Sequence, residues 1–174
     1  HLLTEALLSR GIERIDYVLL THIHIDHAGG LGPLLARFPQ ARAVCHAAGV
    51  RHLIDPARLW AGSRKTLKEL AEIYGPIEPS PAERIIPHDR CSLPDLEILE
   101  TPGHAPHHLS YLYGGRLFAG ESAGIHLPFP EGLYLRPPTP PRFFFDQALA
   151  SVDRMLALPD LPIHFGHIGT HPSS

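Results

Sequence analysis

The 174-residue sequence is poor in several features that would settle its class at once. It has only two cysteines, Cys45 and Cys91, far apart and in no CxxC arrangement. That excludes a disulfide framework and a cysteine-built zinc ribbon, and it fits a reduced, cytoplasmic protein. Charged residues make up 19% and the net charge is −3, so no polybasic surface for nucleic acid or anionic lipid is written into the chain. No apolar run approaches the ~20 residues that cross a bilayer. No basic-then-apolar leader opens the chain. Internal repeats and long linkers are also lacking. With 44% hydrophobic residues, the expectation is one globular domain over residues 1–174, acting on a small molecule rather than on nucleic acid or membrane, with its oligomeric state open.

What the chain does have is histidine, 14 of them, and the densest group organises the rest. Residues 15–20 read as a buried strand. Immediately after it come Thr21, His22, Ile23, His24, Ile25, Asp26, His27, Ala28, Gly29 and Gly30. Imidazole and carboxylate are the ligands that zinc and similar ions prefer. Residues two apart on a strand face the same side, so His22 and His24 are expected to aim at one ion. Asp26 and His27 follow the turn and reach toward a second, with Gly29 and Gly30 easing the backbone beside them. A solvated His-rich loop is the competing reading.

Elsewhere the pattern alternates between helix and strand. Leu2, Leu3, Ala6 and Leu7 form a helical stripe ended by Gly11. Leu31, Leu34, Leu35 and Phe38 form another, stopped by Pro39. Residues 43–45 read as a strand. Residues 47–74 read as two helices broken at Asp55-Pro56, the second burying Leu67, Leu70, Ala71 and Tyr74 on one face. Residues 76–94 form a loop with a short strand at 84–86. Residues 96–101 alternate as a half-buried strand. Residues 108–113 and 116–119 flank Gly114-Gly115, a two-residue hairpin signal. Six prolines make residues 128–141 an expected irregular loop. Asp146 is the expected N-cap of a helix whose apolar side is Ala148, Leu149, Val152, Leu156 and Leu158. A last strand covers residues 161–165.

The HxHxDH stretch after an apolar strand resembles the signature of the metallo-β-lactamase-fold hydrolases, in particular their glyoxalase II and lactonase branch. Three later stretches resemble the family's remaining motifs in family order. TPGH at 101–104 is similar to the motif whose histidine binds the first metal. Gly120-Glu121 stands where the family has Gly-Asp with a bridging Asp, a departure that lengthens the carboxylate by one methylene. Residues 162–169 hold two candidates for the last ligand, and His167, which follows Gly166, is favoured over His164.

The resemblance implies an α/β chain in a four-layer αββα sandwich. It implies two divalent ions, zinc foremost with iron and manganese as alternatives. His22, His24 and His104 would hold the first ion, and Asp26, His27 and His167 the second, with Glu121 between them. Asp26 and Glu121 would serve catalysis, and His108 and His164 would support ligands or face substrate. The implied reaction is hydrolysis of an ester, thioester or lactone by water activated on the metal pair. Residues 128–145, with Phe129, Tyr134 and Phe143 to Phe145, are expected either to wall an apolar pocket, which favours such substrates over polyanions, or to form a packed surface loop. Three other readings compete. One is a di-iron oxidoreductase of the same fold. The second is a non-catalytic metal-binding relic. The third is a serine hydrolase built on Ser122, which lies between Gly120 and Gly124 but lacks the helix a nucleophile elbow needs. Family members carry several strands before the HxHxDH strand, whereas this chain opens at His1 inside a helical pattern. The expectation is therefore a fragment that lacks N-terminal strands, leaving an apolar sheet edge prone to aggregation.

Overall fold

The computed structural model describes residues 2–130 and 132–173. They group into two compact units, one ending at Cys91 and the other beginning at Ser92.

The first unit is a three-stranded parallel sheet with helical crossovers. Its elements are helix α1 (Leu2–Ser9), strand β1 (Tyr17–Leu19), helices α2 (Ile25–Ala28) and α3 (Leu31–Arg37), strand β2 (Arg42–Cys45), helices α4 (Val50–Ile54), α5 (Ala57–Leu67) and α6 (Glu69–Tyr74), and strand β3 (Ile85–Pro87). The strands run β1-β2-β3, with Val18 paired to Ala43 and Val44 to Ile86. A parallel strand buried on both faces wants apolar residues throughout, and Ala43, Val44 and Cys45 of β2 are fully buried. Ala43 and Cys45 share a core with Leu20, Ile23, Ala28, Leu31, Leu35, Phe38 and Leu53. Carbonyls at the end of α3 and just past it gain a charged donor from Arg84. Arg84 supplies one nitrogen to Leu35 O (2.8 Å), Pro39 O (3.1 Å) and Phe38 O (3.3 Å).

The second unit is built on a five-stranded sheet ordered β10-β9-β6-β5-β4. Strand β4 (Leu96–Glu100) pairs antiparallel with β5 (Leu109–Tyr113), and β5 with β6 (Arg116–Gly120). Gly114 and Gly115 both have positive φ, +57° and +69°, as a type I′ hairpin turn requires. Strands β7 (Ile125–Phe129) and β8 (Gly132–Arg136) form a separate hairpin, followed by helix α7 (Phe145–Leu156). Strand β9 (Ile163–Phe165) then returns parallel to β6, and β10 (Thr170–His171) closes the edge.

Four expectations are corrected. Residues 128–141 are not wholly irregular, since β7 and β8 occupy their first part. A two-stranded sheet has only edges, so Pro128, opposite Leu133, removes no interior ladder bond; Glu131, between the strands, lies outside the described residues. The helix expected to run to Tyr74 breaks again at Lys68, which has φ +52°, and of its proposed face only Ala71 is buried while Leu70 and Tyr74 are exposed. Asp146 lies inside the first turn of α7 rather than capping it, because Phe144 holds the cap position. In α7, Ser151 is buried while Leu149 and Leu156 are exposed.

Both cysteines are free, Cys45 buried and Cys91 partly so. Burial pushes the Cys45 thiol up to about 12. Among the described residues no helix is long and apolar enough to cross a membrane.

Candidate metal centre

Each unit gathers part of the expected ligand set. In the first, β1 ends at Leu19, so His22 and His24 lie beyond the strand rather than on it. The backbone nevertheless stays extended up to His24 (φ −62°, ψ 153°), just before α2 begins. Ile23 and Ile25 alternate with the histidines and sink into the interior, which turns the imidazoles to the other side. His22 Nε2 and His24 Nδ1 come within 3.0 Å, with the rings edge to face. The His27 ring lies 4.2 Å from that of His22, centre to centre, and its Nε2 is 3.5 Å from Asp26 Oδ2. Thr21 Oγ1 reaches His22 Nδ1 at 3.1 Å. The structure thus brings His22, His24, Asp26 and His27 together.

In the second unit the site is built where strands stop. After β4 the chain turns through Thr101, Pro102 and Gly103 to His104. Gly103 has φ +141°, and a Cβ there would lie 2.4 Å from Ala148 Cα, so only glycine lets α7 sit against the turn. The helix holds that turn at several points. Ser151 Oγ donates to Pro102 O (2.7 Å), Phe144 N–H donates to Gly103 O (2.9 Å), and Arg154 donates to Glu100 O. Glu121 follows β6, whose register against β9 shifts between Phe118 and Gly120. Such a bulge re-aims the residues after it.

The result is a carboxylate shared between two imidazoles. Glu121 Oε2 is 2.8 Å from His104 Nε2, and Glu121 Oε1 is 3.2 Å from His167 Nε2. His104 and Glu121 are buried, whereas His167 is exposed. His164 is engaged elsewhere. Its Nδ1 meets Thr170 Oγ1 at 2.8 Å and its ring stacks on Phe118. His108 is buried, accepts the Glu121 backbone N–H on Nε2 (3.1 Å), and lies with Nδ1 beside Ser122 Oγ and Thr101 Oγ1.

These donors suit a divalent cation. A carbonyl only accepts, so His104 Nδ1, 3.2 Å from Pro138 O, must carry a proton. In a neutral ring, Nε2 is then a lone pair facing a carboxylate oxygen, and a cation between them removes the repulsion. Neighbouring ligand atoms on a tetrahedral zinc, with bonds of ~2.0–2.2 Å, lie roughly 3.3 Å apart. The 3.0 Å, 2.8 Å and 3.2 Å spacings are close to that edge length. Other close histidines do not behave this way. His46 and His88 stack at 4.6 Å, but each spends Nδ1 on a backbone N–H, from Ala48 and Ala47 respectively. A neutral ring of that kind carries its proton on Nε2 and has no lone pair left for a metal.

Sequence reasoning missed the supports. The Pro138 carbonyl that fixes His104 is backbone, and no side-chain motif announces it. Ser151 and Arg154, at i and i+3 on α7, signalled only one polar side of a helix.

Comparison with known proteins bears on the whole chain. The chain is 30% identical over 167 residues to the metallo-beta-lactamase fold-containing protein ST1585 of Sulfurisphaera tokodaii, covering 91% of this chain and 62% of that one. It is 32% identical over 161 residues to a hydroxyacylglutathione hydrolase of Aeromonas hydrophila, covering 84% and 45%. It therefore spans less than two thirds of either relative. The crystal structure of ST1585, described as an archaeal metallo-beta-lactamase superfamily protein from Sulfolobus tokodaii, superposes with a TM-score of 0.76 at 29% identity, over 94% of this chain and 65% of that one. A family profile described as the metallo-beta-lactamase superfamily matches residues 2–167. With that match running through both units, and with an α/β architecture, the chain belongs to the metallo-beta-lactamase superfamily.

Proposed function

We propose that this chain forms the metal-binding core of a hydrolase that cleaves an ester, thioester or lactone with two divalent ions, zinc foremost. In this reading both units form one domain. His22, His24 and His104 hold the first ion, Asp26, His27 and His167 the second, and Glu121 bridges. The observation that carries it is the Glu121 carboxylate, with one oxygen against His104 and the other against His167. A bridging ligand needs that division. The family match across both units supports joining the two half-sets. The hydrolase from Aeromonas hydrophila supports an acyl-thiol substrate.

When bound, a divalent pair lowers the pKa of a water to about 7 and polarises the carbonyl under attack. The chain's own groups do the rest. Pro138 O keeps the His104 proton on Nδ1, so Nε2 faces inward with its lone pair. We assign the proton relay to Asp26, beside His27: its carboxylate would take up the proton lost by the attacking water and pass it to the leaving group. Ser122 gives its hydroxyl proton to Thr101 O, and strand β7 follows it rather than a helix, so it is no nucleophile. The apolar side chains of Phe129 and Tyr134 stand on the β7–β8 hairpin and suit an acyl group. Free cysteines fit a cytoplasmic setting.

Metal analysis of the purified protein, with a panel of chromogenic esters, thioesters, lactones and phosphodiesters assayed with and without chelator, tests this. The expected result is about two metals per chain and chelator-sensitive cleavage of a carboxylic ester class. A metal-free, inactive protein would overturn it. Iron with O₂ or NO turnover would move it to the oxidoreductases.

A further inference from the structure

We propose that His108 is a positioning residue, a neutral imidazole protonated on Nδ1 whose Nε2 lone pair holds the Glu121 backbone and thereby sets the direction of the carboxylate. Its bearing on metal binding rests on the proposed bridging role of Glu121; the tautomer and the hydrogen bond do not.

The proton count around the ring leaves one solution. The Glu121 N–H can only donate, and it points at His108 Nε2 at 3.1 Å, so that nitrogen carries a lone pair. A neutral ring then has its proton on Nδ1. Two oxygens stand ready there, Ser122 Oγ at 2.8 Å and Thr101 Oγ1 at 3.0 Å. Both are free to accept, because their own protons go elsewhere. Ser122 donates to Thr101 O (2.8 Å). Ser110 donates to Ala119 O (3.2 Å), so Thr101 Oγ1 gives its proton to Ser110 Oγ (2.8 Å). Every hydroxyl proton has one destination, and His108, Thr101 and Ser110 are fully buried. A satisfied network of this kind specifies one arrangement.

What it fixes is geometry at three strand ends. Thr101 ends the β4 segment and begins the turn to His104. His108 precedes β5, and Glu121 and Ser122 follow β6. The ladder shifts at the end of β6, and just past it the Glu121 amide bonds to an imidazole. Losing that acceptor leaves a buried N–H unsatisfied and releases the carboxylate above it. In His108→Gln the side-chain carbonyl reaches the place of Nε2 and still accepts. In His108→Asn the amide reaches only the place of Nδ1.

Three measurements test this on the whole chain. The first is 15N NMR of the metal-free wild type. A pyrrole-type Nδ1 and a pyridine-type Nε2 at His108 are expected, and an Nε2–H tautomer or an imidazolium overturns the proposal whatever the variants do. The second is amide exchange at Glu121. It should stay slow in His108→Gln and rise at least ~10-fold in His108→Asn, and equal exchange in both overturns the proposal. The third is the affinity for zinc alone. It should change by less than ~3-fold in His108→Gln and fall by roughly 10–100-fold in His108→Asn, the range typical of groups that orient metal ligands. Equal zinc affinity in the two variants overturns the metal-holding role. A wild type that binds no zinc removes the proposed function, while the tautomer and exchange results still decide what His108 does.

Discussion

Replacing Gly103 with alanine should be among the most damaging single-methyl additions in the second unit. Two costs add. The φ of +141° lies where side-chain-bearing residues rarely go, costing about 1–3 kcal/mol. The added methyl would also stand 2.4 Å from Ala148 Cα, 2.5 Å from its Cβ and 2.7 Å from its N, two of them backbone atoms that cannot rotate away. Overpacking of that kind costs about 1–3 kcal/mol more, and α7 must shift to relieve it. The sum, about 2–6 kcal/mol, is a large share of a domain stability of about 5–15 kcal/mol. At ~2–4 °C per kcal/mol for a chain of this size, Tm should fall by roughly 4–24 °C, read by circular dichroism. Gly62, inside α5 with nothing within 4 Å of its would-be Cβ, is the control. Alanine there should leave Tm unchanged or raise it, by about 0.5–1 kcal/mol of helix propensity. Trimming the partner in Gly103→Ala/Ala148→Gly should rescue little, since the Cα and N clashes and the φ remain. A Gly103→Ala protein within ~1 °C of the wild type, or full rescue by the second change, would refute the packing argument.

Other outcomes follow from the same coordinates. Cys45 should resist alkylation in the native protein at pH 8 while Cys91 reacts, because burial holds the Cys45 thiol near 12 and leaves almost no thiolate; mass spectrometry of modified peptides checks this. The folded-state value is raised from 9.0, so the stability Cys45 contributes is intact below pH 9 and is lost as pH climbs from about 9 through 12, measurable as a falling Tm in the Cys45 protein relative to Cys45→Ala. Arg84→Leu should cost about 1–3 kcal/mol in urea unfolding, since it strips a charged donor from three carbonyls at the end of α3. His167→Gln should lower zinc stoichiometry or affinity at least ~10-fold, and His164→Gln should not, because His167 lies against Glu121 whereas His164 meets Thr170; the reverse order would reassign the last ligand.

Local rules made much of the fold legible. The Leu31, Leu34, Leu35 stripe and the continuous apolar run at Ala43 to Cys45 became α3 and β2, because each has one period and one way to bury itself. Gly114-Gly115 specified its hairpin through the φ values it permits. The failures share a cause. Six prolines in residues 128–141 argued against strands, but β7 and β8 pair only with each other, where a missing N–H costs nothing in the interior of a sheet. Leu70, Leu149 and Leu156 look like core residues by spacing and are exposed. Periodicity says which residues share a face, not whether anything covers it.

The site divides along a similar line. Candidate ligand identity was legible, because histidine and carboxylate at strand ends are side-chain chemistry written in the letters. What would fit them to a cation was not, because it depends on where protons go. His104 and His88 are both histidines with Nδ1 at a backbone group. One meets a carbonyl and keeps a lone pair on Nε2; the other meets an N–H, so its neutral ring does not. Pro138 decides the first case, 34 residues from the ring it controls, through an atom every residue has. The same reasoning bears on Glu121. Its extra methylene is no defect if the carboxylate must span from His104 to His167, 2.8 Å on one side and 3.2 Å on the other. A longer arm divided between two imidazoles needs its root held, and the buried His108 against its backbone N–H is the group that holds it.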